Sequence, residues 1–139
     1  MQIRDVMTKD IVSVTSEESL KDCAVKMKEH NTGVLPVYES EELKGLITDR
    51  DIVIRSVASG KNPLEEHAGS IMTESVEKCV EDDDIQEVSR KMKERKIRRL
   101  PVFNGEGKLA GMVSLGDLSV RGDEKLAEDT LEKVSEEGE

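Results

Sequence analysis

Hydrophobic residues in the first half of this chain fall into three short runs and one amphipathic segment. The runs at 11–14, 34–38 and 43–48 have the length and aliphatic content of buried strands. Between the first two runs, apolar residues recur at the spacing of one helix face. They are Leu20, Cys23, Ala24 and Met27. A second helix is predicted at 51–58.

Polar residues and a proline refine these elements. Thr15-Ser16-Glu17-Glu18 has the pattern of a capping box, which predicts that the first helix opens there. Asn31-Thr32-Gly33 supplies its stop signal. Pro36, inside the strand that follows, predicts an edge position or a bulge.

The second half of the chain repeats this order. Strands are predicted at 76–80, 100–103 and 109–114, with a helix at 82–95 and a short helix from Asp117. Each half is therefore β-α-β-β-α, and the fold class is α/β (α+β) with small sheets.

Short identical segments show that the two halves are copies. Met7-Thr8 recurs as Met72-Thr73, and Leu35-Pro36-Val37 recurs as Leu100-Pro101-Val102, both 65 residues later. Two similar halves predict pseudo-twofold packing, with clefts where the halves meet. The predicted organisation is repeat 1 at 1–60, a linker at 61–70, repeat 2 at 71–121 and an acidic tail at 122–139.

Composition narrows the class of protein. The net charge is −10 with 37% charged residues, which argues against a duplex nucleic-acid binder, because such a protein needs a basic face; a local basic patch stays open. No run approaches the ~20 apolar residues of a membrane span. The N-terminus has no apolar signal-peptide region. We therefore expect a cytoplasmic protein without a membrane partner.

The sharpest candidate for chemistry is a [Ser/Thr]-x-x-Asp motif at a strand-to-helix turn, present once in each copy. Thr48 with Asp51, and Ser114 with Asp117, could simply be capping boxes. The same turns could instead bind a ligand, with backbone N–H groups facing a phosphate and the carboxylate facing ribose hydroxyls. Because the motif occurs twice in the same context, ligand binding is favoured, and a capped helix can still bind.

The positions around the two motifs are not equivalent. Arg50 lies inside the first motif, whereas Gly116 takes its place in the second. Lys96, Arg98 and Arg99 form the only dense basic cluster, which is either paired with surface carboxylates or an anion site. Their counterparts in the first copy are uncharged. The asymmetry predicts that one cleft prefers anions.

Residues that signal catalysis or metal binding are missing from the pattern. Cys23 and Cys79 lack CxxC spacing and are expected to be buried structural thiols. His30 and His67 have no partner motif. No nucleophile elbow, zinc-protease helix or phosphate-binding loop occurs. The sequence predicts no enzyme, no catalytic residue and no metal site.

Together these motifs resemble a tandem pair of CBS domains, a Bateman module, over residues 1 to about 121. Three segments in each copy carry the resemblance, and the last of them has the pattern Gly-x-x-[Ser/Thr]-x-x-Asp. They are 6–8 and 71–73, 33–37 and 98–102, and 45–51 and 111–117. The chain is most similar to stand-alone prokaryotic CBS-pair proteins of the hypoxic-response type.

The resemblance implies two repeats paired through their sheets, a homodimer of such pairs, and a regulatory ligand in two clefts. The ligand would be AMP, ADP, ATP or S-adenosylmethionine, with no obligatory cofactor. The Asp117 cleft would contain Thr8, Val12, Thr32, Gly33, Val34, Ser114 and Asp117. The Asp51 cleft would contain Thr48, Arg50, Asp51, Ile97, Arg98 and Arg99.

Two other functions stay open at this point. The chain could be a scaffold with vestigial clefts, acting through dimerisation and through an acidic tail that recruits a protein partner. It could also bind single-stranded nucleic acid through Lys96, Arg98 and Arg99, although the net charge and the lack of aromatic stacking residues count against that.

Overall fold

Two units make up the part of the chain that the computed structural model describes, residues 1–74 and 76–121. Unit 2 is Ile11–Val76, and unit 1 combines Met1–Asp10 with the chain from Glu77 onward. Both mix helices and strands, which confirms the predicted α/β (α+β) class. The predicted acidic tail at 122–139 lies outside the described residues.

Unit 2 is built around an antiparallel hairpin. Its elements are α1 (Leu20–His30), β1 (Val34–Glu39), β2 (Glu42–Thr48), α2 (Asp49–Asp51), a π-helix (Ile52–Val57) and α3 (Ala68–Ile71). The apolar face of α1 packs on the hairpin, and the core is aliphatic apart from the sulfur-containing side chains of Cys23 and Met27. Its fully buried members include Leu20, Cys23, Leu35, Val37 and Ile47.

Unit 1 has the same plan. Its elements are a 3-10 helix (Ile3–Asp5), β3 (Cys79–Val80), α4 (Ile85–Arg95), β4 (Arg99–Phe103), β5 (Leu109–Ser114) and α5 (Leu115–Arg121). The core gathers residues from both ends of the described chain. It includes Ile3, Val6, Met92, Leu100, Val113 and Leu118, all fully buried.

The hairpins of both units carry a bulge at the matching position. In β1 the register shifts between Val37 and Tyr38, and in β4 between Val102 and Phe103. Each bulge follows one residue after a strand proline, Pro36 or Pro101. Proline has no N–H for the ladder, so it favours such irregular positions, as the sequence predicted for Pro36.

The Met-Thr segments pair with the hairpin of the opposite repeat. Thr8 exchanges backbone hydrogen bonds with Met112 at 2.8 and 3.0 Å, and Thr73 does so with Leu46 at 2.8 and 3.0 Å. Thr8 thereby joins unit 1, while Thr73 stays in unit 2. The close approach requires a glycine, because a Cβ on Gly111 would lie 2.6 Å from the Thr8 carbonyl oxygen. On Gly45, it would lie 2.5 Å from the Thr73 carbonyl oxygen.

The two long helices begin later than predicted. α1 starts at Leu20 with Ser19 as N-cap, and α4 starts at Ile85 with Asp84 as N-cap. Ser19 Oγ accepts from Asp22 N at 3.1 Å, whereas Thr15 N donates to Glu18 in a turn that precedes the helix. The predicted opening at Thr15 was therefore wrong, because the capping-type hydrogen bond there closes a separate turn.

The first strand of each repeat is shorter than predicted. In 11–14 only Val14 pairs, with Val37, and in 76–80 only Cys79–Val80 form a strand. Lysine side chains bind the backbone carbonyls just before the strand pairing begins: Lys26 Nζ donates to Ser13 O, and Lys91 Nζ donates to Lys78 O. An apolar run alone does not show how many of its backbone groups find a strand partner.

The predicted helix at 51–58 is mainly a π-helix. Ala58 N donates to Val53 O at 2.8 Å, and Lys61 N donates to Ser56 O at 2.9 Å, so the bonds span five residues. Hydrophobic spacing predicts a helix but does not distinguish its pitch over six residues. Single π turns occur frequently beside functional sites.

Candidate functional site

The first [Ser/Thr]-x-x-Asp motif of unit 2 forms a tight turn where β2 passes into α2. Thr48 Oγ1 accepts from Asp51 N at 3.0 Å, and Thr48 N donates to Asp51 Oδ2 at 3.0 Å. Asp49 N donates to Gly33 O at 3.0 Å, which fixes the turn beside the start of β1. The capping reading of this motif is therefore confirmed.

The cap engages only one oxygen of the Asp51 carboxylate. Oδ2 accepts the Thr48 N–H, while Oδ1 faces Arg55 Nε at 3.7 Å, which is long for a hydrogen bond. Asp51 is 9% exposed, so its position is set by the protein around it. A carboxylate oxygen has several lone-pair directions, and Oδ1 can still accept from a ligand hydroxyl.

The second motif, in unit 1, has the same geometry. Ser114 N donates to Asp117 Oδ2 at 2.9 Å, and Asp117 N donates to Ser114 Oγ at 3.2 Å. Oδ1 of Asp117 is again the less engaged oxygen, with Thr8 Oγ1 donating to it at 3.5 Å. Here the neighbour of Oδ1 is a hydroxyl, whereas in unit 2 it is a guanidinium.

Thr8 also borders an open cavity in unit 1. The cavity has a volume of about 510 Å³, and charges of both signs line it. The lining residues are Arg4, Asp5, Met7, Thr8, Lys9 and Asp10. Thr8 is therefore exposed, lines this cavity, and donates to the Asp117 carboxylate.

The basic cluster of the sequence lies beside the second turn. Arg98 O accepts from Leu115 N at 3.1 Å, and Arg99 pairs with Ser114 across the β4–β5 ladder. Both arginines are exposed. Lys96 ends α4 with a left-handed backbone, φ 58°, the conformation that Asn31 adopts at the end of α1. In unit 2, Arg50 is exposed and lies within the first turn.

The structure places the predicted site residues in separate units. Unit 1 holds Thr8, Ile97, Arg98, Arg99, Ser114 and Asp117, and unit 2 holds Val12, Thr32, Gly33, Val34, Thr48, Arg50 and Asp51. Each predicted cleft takes members from both units, and that grouping stays a prediction. Within units, the structure brings Thr8 and Ser114 to Asp117, and Thr48 to Asp51.

Three more of the predicted site residues, Thr32, Val12 and Ile97, contact residues of their own unit. Thr32 Oγ1 accepts from Val34 N at 3.3 Å, so that side chain stabilises the start of β1. Val12 packs against the core of unit 2, and Ile97 packs against the core of unit 1.

Sequence reasoning missed Arg55 and the segments that dock on Gly45 and Gly111, although it expected a close approach or a bulge at Gly45. Arg55 contacts Asp51 and also donates to the Ile71 carbonyl at 3.1 Å. A signal was present, because each motif aspartate is followed four residues later by arginine, Arg55 or Arg121. Gly45 and Gly111 are likewise duplicated, but the sequence does not show what approaches them.

The thiols do not supply a nucleophile. Burial raises the pKa of Cys23 to about 11 and the pKa of Cys79 to about 12, so both stay protonated near neutral pH. This agrees with their predicted structural role. Among residues 1–74 and 76–121, no group of three or more His, Cys, Asp or Glu residues is arranged to hold a metal ion.

One protein family matches most of the chain. The CBS domain family model matches residues 3–57 and 68–121. Hypoxic response protein 1 of Mycobacterium tuberculosis is 36% identical over 117 residues, or 84% of this chain and 81% of that protein. A protein of Methanopyrus kandleri is 38% identical over 85% of this chain, and the match spans 61% of its length.

Solved structures with the same fold include a ligand complex and an oligomer. The CBS domain pair of protein MJ0100, in complex with 5′-methylthioadenosine and S-adenosyl-L-methionine, has a TM-score of 0.77 at 28% identity, covering 86% of this chain and 93% of that one. A hexameric CBS-CP12 protein from bloom-forming cyanobacteria has a TM-score of 0.80 at 26% identity, covering 99% and 83%. No helix within the described ranges is long and apolar enough to cross a membrane.

Proposed function

The chain belongs to the CBS domain family, with two such domains in tandem, and we propose that it is a regulatory module that binds adenosine-containing ligands. The observation that carries the proposal is the duplicated turn. In each turn, one aspartate oxygen accepts the cap N–H while the other lies next to a weak partner.

Ribose chemistry suits the less engaged oxygen. The two adjacent hydroxyls of a ribose are donors, and an ionised carboxylate offers acceptors without a competing donor. Hydrogen bonds to a charged group contribute more than neutral ones, about 1.5–3 kcal/mol each. We assign Asp117, with Ser114 and Thr8, to one half-site and Asp51, with Thr48 and Arg50, to the other.

The basic residues would select the rest of the ligand. Arg50 extends from the Asp51 turn, whereas Arg98 and Arg99 lie beside the Asp117 turn within unit 1. A guanidinium forms paired hydrogen bonds with phosphate. AMP, ADP and ATP are therefore ligands to test alongside S-adenosylmethionine, which is bound with 5′-methylthioadenosine in the similar MJ0100 pair and supports an adenosyl group.

Regulation would follow from differential binding. A ligand that binds one arrangement of the two repeats more tightly shifts the population towards that arrangement. No catalytic group is needed for this role, and the buried thiols offer none.

A thermal-shift screen tests the proposal. The wild-type chain is heated with millimolar adenosine, AMP, ADP, ATP or S-adenosylmethionine, and at least one should raise the unfolding temperature by mass action. The double variant Asp51→Asn/Asp117→Asn should lose that shift. Asp49→Asn is the matched control, because this exposed carboxylate lies in the same turn and accepts only from Arg50 N among the described residues. No shift in the wild-type chain with any ligand would contradict the proposal.

An association of copies is a second proposal, supported by exposed apolar side chains on the π-helix. Val53, Ile54 and Val57 are 55%, 49% and 57% exposed, and their spacing places them on one face. We propose that this face pairs with the same face of a second copy in a homodimer. Such an interface would also support the alternative that the chain acts as a scaffold. Val53→Lys/Val57→Lys should lower the mass measured by light scattering, whereas Val25→Lys on α1 should not. An unchanged mass would contradict the pairing.

A further inference from the structure

Arg55 connects the Asp51 half-site to a distant segment of unit 2. Its Nε lies 3.7 Å from Asp51 Oδ1, and its Nη1 donates to Ile71 O at 3.1 Å and to Met72 O at 3.5 Å. One guanidinium therefore lies between the Asp51 carboxylate, just before the π-helix, and the carbonyls at the end of α3. Its donors form a rigid plane, so the three contacts constrain one another.

The segment that Arg55 contacts is the one that docks on β2. α3 ends at Ile71, where the last carbonyls lack partners within the helix. Met72 then turns to an extended backbone and Thr73 pairs with Leu46. Arg55 therefore donates to the Ile71 and Met72 carbonyls just before the chain reaches Thr73, which pairs with Leu46.

We propose that Arg55 is a positioning residue, which orients Asp51 Oδ1 for a ligand hydroxyl and couples ligand binding there to the docking of Ile71–Thr73. This rests on the proposed function for its ligand, but the coupling concerns contacts within unit 2 alone. A ligand hydroxyl that donates to Asp51 Oδ1 fixes the carboxylate, and the fixed carboxylate holds the guanidinium next to the Ile71 and Met72 carbonyls.

Arg50 provides a matched comparison. It lies in the same turn, is exposed, and its guanidinium forms no hydrogen bond or ion pair with the residues that the structure describes. Arg50 is assigned to phosphate, so its removal should weaken AMP binding far more than adenosine binding. Arg55 acts through Asp51 and the ribose, so its removal should weaken both ligands equally.

The experiment uses the full chain with Asp117→Asn, so that only the Asp51 half-site remains. Adenosine and AMP are titrated calorimetrically into this parent and into its Arg55→Gln, Arg55→Lys and Arg50→Gln derivatives. Arg55→Gln should weaken both ligands about tenfold, a loss within the range of coupled contacts. Arg55→Lys should recover part of the affinity, because an ammonium can still reach Asp51. Unchanged adenosine affinity in Arg55→Gln would overturn the positioning role.

Amide hydrogen exchange of the same proteins without ligand tests the coupling separately. Arg55→Gln should speed exchange at Leu46 and Thr73, whose N–H groups hold the bridge, and leave Thr8 and Met112 unchanged. Unchanged rates at Leu46 and Thr73 would overturn the coupling. If the parent binds neither adenosine nor AMP, the ligand role of Arg55 falls with the proposed function, while faster exchange in Arg55→Gln would still support the structural link.

Discussion

The Thr48–Asp51 turn of unit 2 and the Ser114–Asp117 turn of unit 1 share one hydrogen-bond pattern and differ in what faces the ligand. In both, the hydroxyl accepts from the aspartate N–H and the aspartate Oδ2 accepts from the hydroxyl residue's N–H. Oδ1 faces the Arg55 guanidinium in unit 2 and the Thr8 hydroxyl in unit 1. The hydrogen bonds that shape the turn are the same in both copies, while the group that lies next to Oδ1 differs.

Burial separates the two turns further. Asp51 is buried, whereas Asp117 is half-buried beside the exposed Thr8. Oδ1 of a buried carboxylate that lies beside a cation loses little freedom when a ligand binds, whereas Oδ1 of the half-buried Asp117, with a 3.5 Å contact to Thr8, is fixed largely by the ligand itself. We therefore expect two half-sites of unequal affinity within one chain.

Substitution of the docking glycines, Gly45 and Gly111, should give the largest change in the free energy of unfolding. It tests whether the Met-Thr segments dock in the same way in both units. Gly111→Ala and Gly45→Ala should each lower the free energy of unfolding by about 1–3 kcal/mol, because the added Cβ collides with a backbone oxygen. Urea unfolding measures the loss. Gly105→Ala is the control, since a Cβ there meets nothing within 4 Å. A large loss for only one of the two glycines would show that the docking is not equivalent in the units.

The buried thiols give a pH-dependent comparison. Both pKa values are raised above 9.0 in the folded protein, so the folded state holds more protons than the unfolded state above that pH. The contribution of the two thiols to the free energy of unfolding is therefore full below about pH 9 and is lost as pH rises towards 11 and 12. Urea unfolding at a series of pH values should show a smaller fall in Cys79→Ala than in Cys23→Ala, because the pKa shift is larger for Cys79. Equal pH slopes in the two variants would contradict this assignment.

Thr8 should give the smallest effect. Thr8→Val removes the 3.5 Å donor to Asp117 Oδ1 and should change the free energy of unfolding by less than about 1 kcal/mol. It should alter adenosine affinity at the Asp117 half-site by a few-fold and leave the Asp51 half-site unchanged. Thr73→Val is the matched control, because Thr73 occupies the same bridge position in unit 2. Equal effects of both substitutions on affinity would remove the distinction between the turns.

The sequence predicted the fold well where local pattern determines structure. Duplicated aliphatic runs gave the hairpins at Val34–Thr48 and Arg99–Ser114. Helix starts were missed because Ser19 and Asp84, nearer to the apolar faces, act as caps in place of earlier polar residues. The π-helix was missed because six residues contain too little periodicity to reveal hydrogen bonds that span five.

The site was predicted in part for a related reason. Thr48 with Asp51, and Ser114 with Asp117, are close in sequence, so their contacts follow from spacing. The family resemblance grouped Thr8 with Asp117, whereas no local pattern shows it, because Met7-Thr8 docks on β5 of the opposite repeat over a long distance in sequence. Arg55 was overlooked because its carbonyl partners, Ile71 and Met72, come from beyond the π-helix.

The most direct test of two unequal half-sites is calorimetric titration of adenosine into the wild-type chain, Asp51→Asn, Asp117→Asn and the control Asp49→Asn. We predict two sites per chain with different affinities in the wild type and in Asp49→Asn. Each of the other variants should keep one site, of different affinity in the two cases. Wild-type stoichiometry in both Asp51→Asn and Asp117→Asn would contradict the account.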